Sequence, residues 1–389
     1  MLRVLLLDFN VRYTNPTRSF LPRLLRLAFD LTAFGPGHVS PEVLEKGVEA
    51  FVEKQQPFDL VIATEHVVFW AEWLSGPGYR RCYAMDFDPD VVTRSHPLLV
   101  FFAKYNGPKL SLLMESDFYN FSGWQIARLD DVGGHYAAWG KEFIHPVALL
   151  RDMEGENLPT SATDNWLNFC IRNEERMVSM LHYIAPEEYC DWRLDQRNPQ
   201  WSVLGAPYAA RKTARAILAA HGVKFSGKAQ ALKVSLFSRL FKLRLLSPDF
   251  LIRRIQSGFQ SALRDSRYGY TCGAFVRQPI RKFFEIPATG SVLVCQPFKR
   301  QEHTGFIDKQ NFLACEPNDV LAANDWLSKH PDEAQIMADY GREMVIQLHN
   351  METRASQLAD VGSAIVARDF AGAAWRDGAL VIRHRATGL

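Results

Sequence analysis

Short, almost wholly apolar runs that alternate with helix-like segments constrain the fold of this chain more than any other feature. Three of them are Arg3–Asp8, Leu60–Thr64 and Ser291–Val294. Each is short enough for a strand, and its continuous apolar character indicates burial on both faces, as in a parallel sheet. Parallel strands need long crossover connections, usually helices. The alternation therefore predicts an α/β protein with open parallel sheets covered by helices on both faces.

Two such units fit the length of 389 residues. Further predicted elements of the first unit are strands at Leu110–Met114 and His135–Trp139 and helices at Ser19–Asp30 and Pro41–Lys54. The stretch from Asn157 to Arg197 is polar and predicts helices that connect the units. A second sheet begins at Ser202–Leu204, so the boundary is expected near residue 195.

The composition limits the classes of partner. The net charge is +2, with 47% hydrophobic and 23% charged residues, which is ordinary for a globular protein and argues against a general nucleic-acid binder. The six cysteines form no C-x-x-C pair and no metal-ligand spacing, which favours a reducing cytoplasm. The start, MLRVLLLDFN, favours a first strand over a signal peptide, and no apolar stretch is long enough to span a bilayer.

The segment from Arg264 to Pro297 carries the first candidate site. It predicts a strand at Tyr268–Cys272, a glycine-bearing loop and a short helix at about Pro279–Pro287. A loop that leads from a strand into a helix can hold phosphate on its backbone N–H groups. The cations Arg277, Arg281 and Lys282 crowd this loop, and Tyr270 in the strand before it is a further candidate for ligand binding.

Glu285 lies one helical turn after Arg281 on the same face. A carboxylate beside a phosphate site needs a polar partner, and the diol of a ribose would provide one. The alternative is a surface glutamate that pairs only with Arg281. The apolar neighbours Phe283, Phe284 and Ile286 favour a buried helix, where a carboxylate must have a partner.

A second phosphate candidate follows the strand Ser202–Leu204. Gly205 opens a tight loop that leads into a helix carrying Arg211. The pattern of strand, glycine turn and basic helix start repeats the chemistry of the first candidate.

At these residues the chain resembles a known family. The run RKFFEIPATGSVLV, which begins at Arg281, and the segment 332–354 resemble the donor-binding half of GT-B glycosyltransferases, closest to the group-1-like branch that includes the spore-coat CgeB-type proteins. The resemblance implies two Rossmann-like domains whose parallel sheets face a central cleft. The expected parts are an acceptor domain over 1–195, a nucleotide-sugar domain over 196–360, and a tail over 361–389 that can pack back on the first domain.

The resemblance also assigns roles. It implies that Glu285 binds the ribose of a nucleotide-sugar and that Arg281 or Lys282 binds phosphate. Many retaining members carry a second glutamate, which touches the donor sugar, eight residues before the ribose ligand. Here that position is Arg277, and an arginine there would suit an acidic sugar.

The implied function is a cytoplasmic glycosyltransferase that needs no metal or other cofactor and builds a bacterial surface polysaccharide on a glycan or lipid-linked glycan acceptor. Two alternatives share the fold. A nucleotide-sugar epimerase would turn over the nucleotide-sugar without an acceptor, and a degenerate member would serve as a binding or scaffold protein.

Glycosyl transfer needs a base or a nucleophile, which we expect at the carboxyl ends of strands in the first domain. Asp117, after Leu110–Met114, is the first candidate, and His66, after Leu60–Thr64, is the second; Glu65 and Glu115 are spare candidates. The alternatives are that Asp117 caps a helix and that His66 packs in a loop.

Two further patterns carry weaker hypotheses. Asp86-Phe87-Asp88 matches the D-x-D pattern that holds a metal in GT-A glycosyltransferases, but its continuation with proline favours a turn. The segment Gln230–Leu246 alternates apolar and basic residues without an acidic one. It predicts a helix that either packs its apolar stripe on the second domain or docks on an anionic membrane surface.

Overall fold

The computed structural model describes residues 1–12, 16–69, 84–85, 96–114, 121–154, 162–226, 235–237, 239–241, 243 and 245–385. The strands are β1 (Arg3–Leu7), β2 (Val11–Arg12), β3 (Asp30–Phe34), β4 (Leu60–Thr64), β5 (Ala84–Met85), β6 (Lys109–Leu112), β7 (His135–Ala138), β8 (Met177–Ser179), β9 (Asn198–Ser202), β10 (Phe225–Ser226), β11 (Ser266–Thr271), β12 (Val292–Cys295), β13 (Leu313–Ala314), β14 (Phe370–Arg376) and β15 (Ala379–His384).

Helices connect these strands. They are α1 (Pro16–Ala28), α2 (Pro41–Glu45), α3 (Gly47–Val52), α4 (Glu65–Val68), α5 (His96–Lys104), α6 (Gly123–Val132), α7 (Val147–Glu154), α8 (Ala162–Arg172), α9 (Ala209–Ala220), α10 (Pro248–Arg264), α11 (Lys282–Ala288), α12 (Val320–Lys329), α13 (Pro331–Leu348) and α14 (Met351–Val366). Short 3₁₀ turns lie at Lys141–Phe143, Glu174–Arg176, Pro186–Glu188, Leu194–Gln196, Gln301–Thr304 and Pro317–Asp319.

Within the described residues, eight strands form an N-terminal sheet in the order β15-β14-β8-β7-β6-β4-β1-β3. All neighbours are parallel except the final hairpin, β14 and β15. Alternate residues of β1 pack into different clusters, Leu5 and Leu7 on one face and Val4 and Leu6 on the other. Helices cover both faces, which explains the continuous apolar run.

Five parallel strands form a C-terminal sheet in the order β10-β9-β11-β12-β13. Its strand β12 repeats the two-faced burial, with Leu293 on one side and Val292 on the other. The chain returns to the first unit at its end, because α14 packs against α1 and β14 pairs with β8. The segment that leaves the first unit contacts the segment that returns to it, since the N–H of Ile184 donates to the carbonyl of His349 at 2.9 Å.

The two parallel sheets and their helices confirm the predicted α/β class, and several local predictions were wrong. The helix predicted at Ser19–Asp30 is present as α1, but the strand Asp30–Phe34 that follows it and pairs with β1 was not predicted. The helix predicted after Ser40 breaks at Gly47, whose φ is +85°. The polar stretch 157–197 contains β8, which is wholly buried. This strand has only three residues, which is too short for a hydrophobic period to be recognised among polar neighbours.

Candidate functional site

A cavity of about 200 Å³ lies where the start of α1 meets α10 and α11. Its lining residues are Pro16, Ile255, Gln256, Phe259, Gln260, Arg281, Lys282 and Glu285. Pro16 belongs to the unit of the N-terminal sheet and the others to the unit of the C-terminal sheet. Three of the predicted donor-binding residues therefore line one cavity between the two units, which we call the cleft cavity.

The second predicted phosphate loop lies next to one wall of the cleft cavity, because Gly205 is close to Lys282. The φ of Gly205, +97°, is one that side chains rarely adopt. A Cβ added there would lie 2.7 Å from Cε of Lys282 and 2.9 Å from a terminal guanidinium nitrogen of Arg211. The structure thus brings together Gly205, Arg211 and Lys282, which are far apart in the sequence.

The cations Arg211 and Lys282 make no ion pair with a carboxylate of the described residues. Arg211 is buried and donates to neutral oxygens, those of Ala206 at 2.9 Å and of Thr271 and Cys272 at 3.3 Å. Its Nε is buried and has no hydrogen-bond partner within the described ranges. Positive charge without a counterion, next to backbone held open by a glycine, is suited to bind an anion.

The positive charges near Lys282 affect its pKa. Burial, together with the nearby cations Arg211 and Arg281, lowers its pKa to about 8, against the opposite effect of Glu285. Its ammonium lies 5.3 Å from the ring centre of Phe259 and makes no hydrogen bond with the described residues. Lys282 is therefore mostly charged at pH 7, and a bound anion would stabilise that charge.

Arg281 differs from its neighbour because its charge is already neutralised. It donates from Nε to Glu285 at 2.8 Å and from Nη2 to both carboxylate oxygens of Glu188 at 2.5 Å. Its Nη1 donates to the carbonyl of Tyr183 at 2.6 Å and to the hydroxyl of Thr17 at 3.3 Å. Burial alone would lower the pKa of Arg281, but Glu188 and Glu285 outweigh it and raise the pKa.

This arrangement gives Arg281 a positioning role. All three guanidinium nitrogens are engaged, so Lys282 is better suited than Arg281 to the phosphate contact that the sequence left open between them. Arg281 holds the carboxylate of Glu285, which is only 3% exposed and lines the cleft cavity. It also joins α11 to Thr17 and Tyr183 of the N-terminal unit.

Arg277 is paired too. Its guanidinium makes a two-pronged contact with Glu316, Nη1 to Oε1 at 2.7 Å and Nη2 to Oε2 at 3.1 Å. Gln296 donates to the same carboxylate at 2.9 Å. The charge expected to favour an acidic sugar is therefore balanced by Glu316.

Tyr270 lies in β11, 1% exposed, and its hydroxyl has no hydrogen-bond partner among the described residues. Burial raises the pKa of this hydroxyl. It packs in the hydrophobic cluster beneath the sheet, so its role in donor binding stays a prediction.

A second cluster of polar side chains lies at the carboxyl ends of β1, β3 and β4. Asp8 follows β1 and accepts hydrogen bonds from Arg18 at 2.7 and 2.8 Å, from Thr64 at 2.5 Å and from His38 at 3.2 Å. Burial would raise the pKa of Asp8, but Arg18 and His38 outweigh it and keep the pKa well below its usual range. Asp8 is therefore ionised at neutral pH.

Glu65 and His66 complete this cluster. Burial raises the pKa of Glu65 to about 7, and one of its carboxylate oxygens has no hydrogen-bond partner in the part of the chain that the structure describes. Burial and Arg18 lower the pKa of His66 to about 3, against the effect of Asp8. A catalytic base works best when its pKa is near the working pH. Glu65 meets this condition better than His66, and the choice between them stays a prediction.

Other sequence hypotheses fall outside the described residues. These are the catalytic candidates Asp117 and Glu115 and the pair Asp86 and Asp88. In the part of the chain that the structure describes, no three His, Cys, Asp or Glu residues are grouped to hold a metal. No helix in that part is long and apolar enough to cross a membrane.

Sequence reasoning missed Glu188, Glu316, Asp8 and Arg18. Asp8 carried a usable signal, since it directly follows the first apolar strand. Glu188 and Glu316 carried none, because each lies in a polar stretch without a motif and gains its partner only through the fold.

Comparison with known proteins bears on the fold and on the sequence pattern of the C-terminal part. The family described as glycosyl transferase-like matches residues 261–360, which include β11, Lys282 and Glu285. A search of curated proteins gave no match. Among solved structures, HepE from Anabaena in complex with UDP is similar over 93% of this chain and 100% of its own, with a TM-score of 0.54 and 11% identity.

Two further crystal structures of HepE are similar. The complex with UDP and glucose matches 94% of this chain and 100% of its own, with a TM-score of 0.52 and 11% identity. The complex with UDP-glucose has the same coverage and identity, with a TM-score of 0.51. The chain thus has the GT-B fold, and its residues 261–360 carry the sequence pattern of the glycosyl transferase-like family.

Proposed function

We propose that this protein is a glycosyltransferase that moves a sugar from a UDP-sugar to a glycan or lipid-linked glycan acceptor. One observation carries the proposal: the cations Lys282 and Arg211, neither of which makes an ion pair with the described residues, meet at Gly205, and the buried carboxylate of Glu285 lies nearby. Phosphate needs the cations, and a ribose diol needs the carboxylate. The UDP and UDP-glucose held by the HepE structures support uridine as the carrier.

In this proposal the acceptor oxygen attacks the anomeric carbon while the bond from that carbon to the phosphate oxygen breaks. The electron pair leaves with UDP, and its negative charge develops beside Lys282 and Arg211. Charges fixed where charge develops stabilise the transition state. Because side chains supply this positive charge, we propose that no metal is required.

The acceptor proton needs a base on the side of the N-terminal sheet. Glu65 and His66 lie at the carboxyl end of β4, and Asp117 remains a candidate outside the described residues. One of these groups takes the proton as the glycosidic bond forms.

We further propose that the protein works at the cytoplasmic face of a membrane during surface polysaccharide synthesis. The support is local: Leu236, Leu243 and Leu245 are exposed in the basic segment 230–246. Apolar side chains among basic ones suit an anionic lipid surface, where a lipid-linked acceptor would lie.

The first test is a thermal-shift panel of UDP, GDP, ADP and CMP. A ligand at a hundred times its Kd adds about 2.7 kcal/mol of stability. We expect a selective shift with UDP, followed by release of UDP from UDP-sugar when a lipid-linked acceptor is added. No shift with any nucleotide would contradict the proposal, and sugar isomerisation without an acceptor would indicate an epimerase instead.

A further inference from the structure

The strand β15 forms one edge of the N-terminal sheet. Within the described residues it pairs with β14 alone, so its other side has no neighbouring strand. The strand runs over the six residues Ala379–His384 and contains neither proline nor glycine. Such an edge presents backbone N–H and C=O groups on which another strand can form, and folded proteins usually protect it. The open side of β15 is therefore a candidate interaction surface.

The backbone groups on the open side of β15 can be identified. In an antiparallel pair, the N–H and C=O groups of successive residues point to opposite sides of the strand. The N–H of Arg385 donates to the carbonyl of Asp369 at 2.6 Å, which is on the side of β14. The register shift between the two strands adds a residue to β14 and none to β15. The N–H and C=O groups of Leu380, Ile382 and His384 therefore face away from β14.

The apolar side chains of β15 suit antiparallel pairing with a second copy of the same strand. A two-fold axis at Val381 would place the Val381 side chains of the two copies opposite each other. This side chain is 40% exposed in the single chain, and side chains directly opposite each other interact across a strand pair. Leu380 would lie opposite Ile382 of the second copy, and both present outward backbone groups for the new hydrogen bonds. Both also pack against the hydrophobic core of their own sheet, so that core would continue into the second copy.

The charges at the two ends of β15 fit the same register. Asp377 lies in the hairpin turn before the strand and Arg385 directly follows it; both are exposed. Neither side chain makes an ion pair with the described residues. With the axis at residue 381, Asp377 of each copy would lie opposite Arg385 of the other. Arg383 would lie opposite Ala379, so no like charges meet across the pair.

These features together favour a copy of this chain as the occupant of the edge, because in a two-fold interface each contact occurs twice. We propose that two copies of the protein pair their β15 strands in antiparallel fashion about Val381 and so join their N-terminal sheets into one continuous sheet. The inference goes beyond the proposed function and does not depend on it, since no residue of β14 or β15 lines the cleft cavity.

Sedimentation velocity over a range of protein concentrations tests the dimer. One strand pair is a small interface, so we expect monomers at about 0.5 μM and mostly dimers at about 100 μM. Val381→Lys would place two ammonium groups opposite each other at the axis and should weaken dimerisation at least about tenfold. Lysine is common on exposed edge strands, so this variant should melt like the wild type. The matched control is Ile336→Lys on α13, at a side chain that is 54% exposed, and it should dimerise like the wild type.

Hydrogen exchange locates the contact within the strand. The amides of Leu380 and Ile382 should exchange more slowly at the concentration that gives dimers than at the one that gives monomers. The amide of Val381, which faces β14, should change less. These differences should disappear in Val381→Lys.

A wild type that stays monomeric over the whole range overturns the inference. So does a folded Val381→Lys protein that dimerises like the wild type, because the contact would then lie on another surface. UDP affinity should be the same in Val381→Lys and the wild type. A wild type that fails to bind UDP would contradict the proposed function alone, so the two failures are distinguishable.

Discussion

Arg281 and Glu188 form a buried ion pair across the junction of the two units, although 93 residues separate them in the sequence. Both side chains are about 5% exposed. The same guanidinium holds Glu285 at the cleft cavity. One arginine therefore couples the packing of the two units to the position of the proposed ribose ligand.

Arg281→Met should destabilise the protein by about 3–5 kcal/mol, because it leaves Glu188 and Glu285 buried without their cation. Chemical denaturation followed by circular dichroism measures this loss. Arg23→Met is the control, since Arg23 pairs with Glu187 at the surface and should cost less than about 1 kcal/mol. Equal losses in the two variants would show that Arg281 does not support the junction.

Glu285→Gln should weaken UDP binding about tenfold to a hundredfold, because the carboxylate that we propose as the acceptor of two ribose hydroxyls is replaced by an amide. Isothermal calorimetry measures the affinity, and a thermal melt checks the fold. The control is Glu302→Gln, at a glutamate whose side chain is 60% exposed, and it should bind UDP like the wild type. Full UDP affinity in a folded Glu285→Gln protein would remove Glu285 from the site.

We expect the affinity for UDP to depend on pH because of Lys282. Its pKa is lowered to about 8, so its charge is present at pH 7 and lost as the pH rises through this value. UDP affinity should fall by up to about tenfold between pH 7 and pH 9. Lys282→Met should bind weakly at both values, without this fall. The exposed Lys212 on α9 provides the control Lys212→Met, and a fall that persists in Lys282→Met would assign it to another group.

A comparison of Gly205→Ala with Gly222→Ala separates the effect of backbone strain from the effect of a methyl group near Lys282 and Arg211. A methyl group there would meet Lys282 and Arg211, whereas at Gly222, with φ of +70°, it would meet nothing within 4 Å. Both substitutions should cost about 1–2 kcal/mol of stability from the left-handed backbone. Only Gly205→Ala should also lose UDP affinity in calorimetry. A similar affinity in both variants would place the phosphate elsewhere.

The exposed leucines of segment 230–246 predict membrane binding. The double variant Leu243→Ser and Leu245→Ser should reduce co-sedimentation with vesicles of phosphatidylcholine and phosphatidylglycerol, since buried apolar area drives such binding. Val381→Ser, at a partly exposed apolar residue of β15, should leave it unchanged. Equal binding of all three proteins would favour the interpretation that the segment packs on its own domain.

The sequence by itself determined the buried strands, which recur along the chain, and the motifs whose residues lie close together in the sequence. Leu60–Thr64 is a strand with the predicted limits, because a continuous apolar run reports burial on both faces. The run from Arg281 to Val294 pointed to the glycosyl transferase-like pattern that residues 261–360 match. Lys282 and Glu285, four positions or fewer from Arg281, were identified because their spacing on one helix can be read directly.

Only the tertiary structure decided which charges remain available. Arg277, Arg281 and Lys282 look alike in the sequence, yet Glu316 neutralises the first, Glu188 and Glu285 neutralise the second, and Lys282 keeps its charge. The physical reason is that a periodic pattern reports which face of an element is buried. An ion pair depends on the position of a distant residue, and folding alone sets that position.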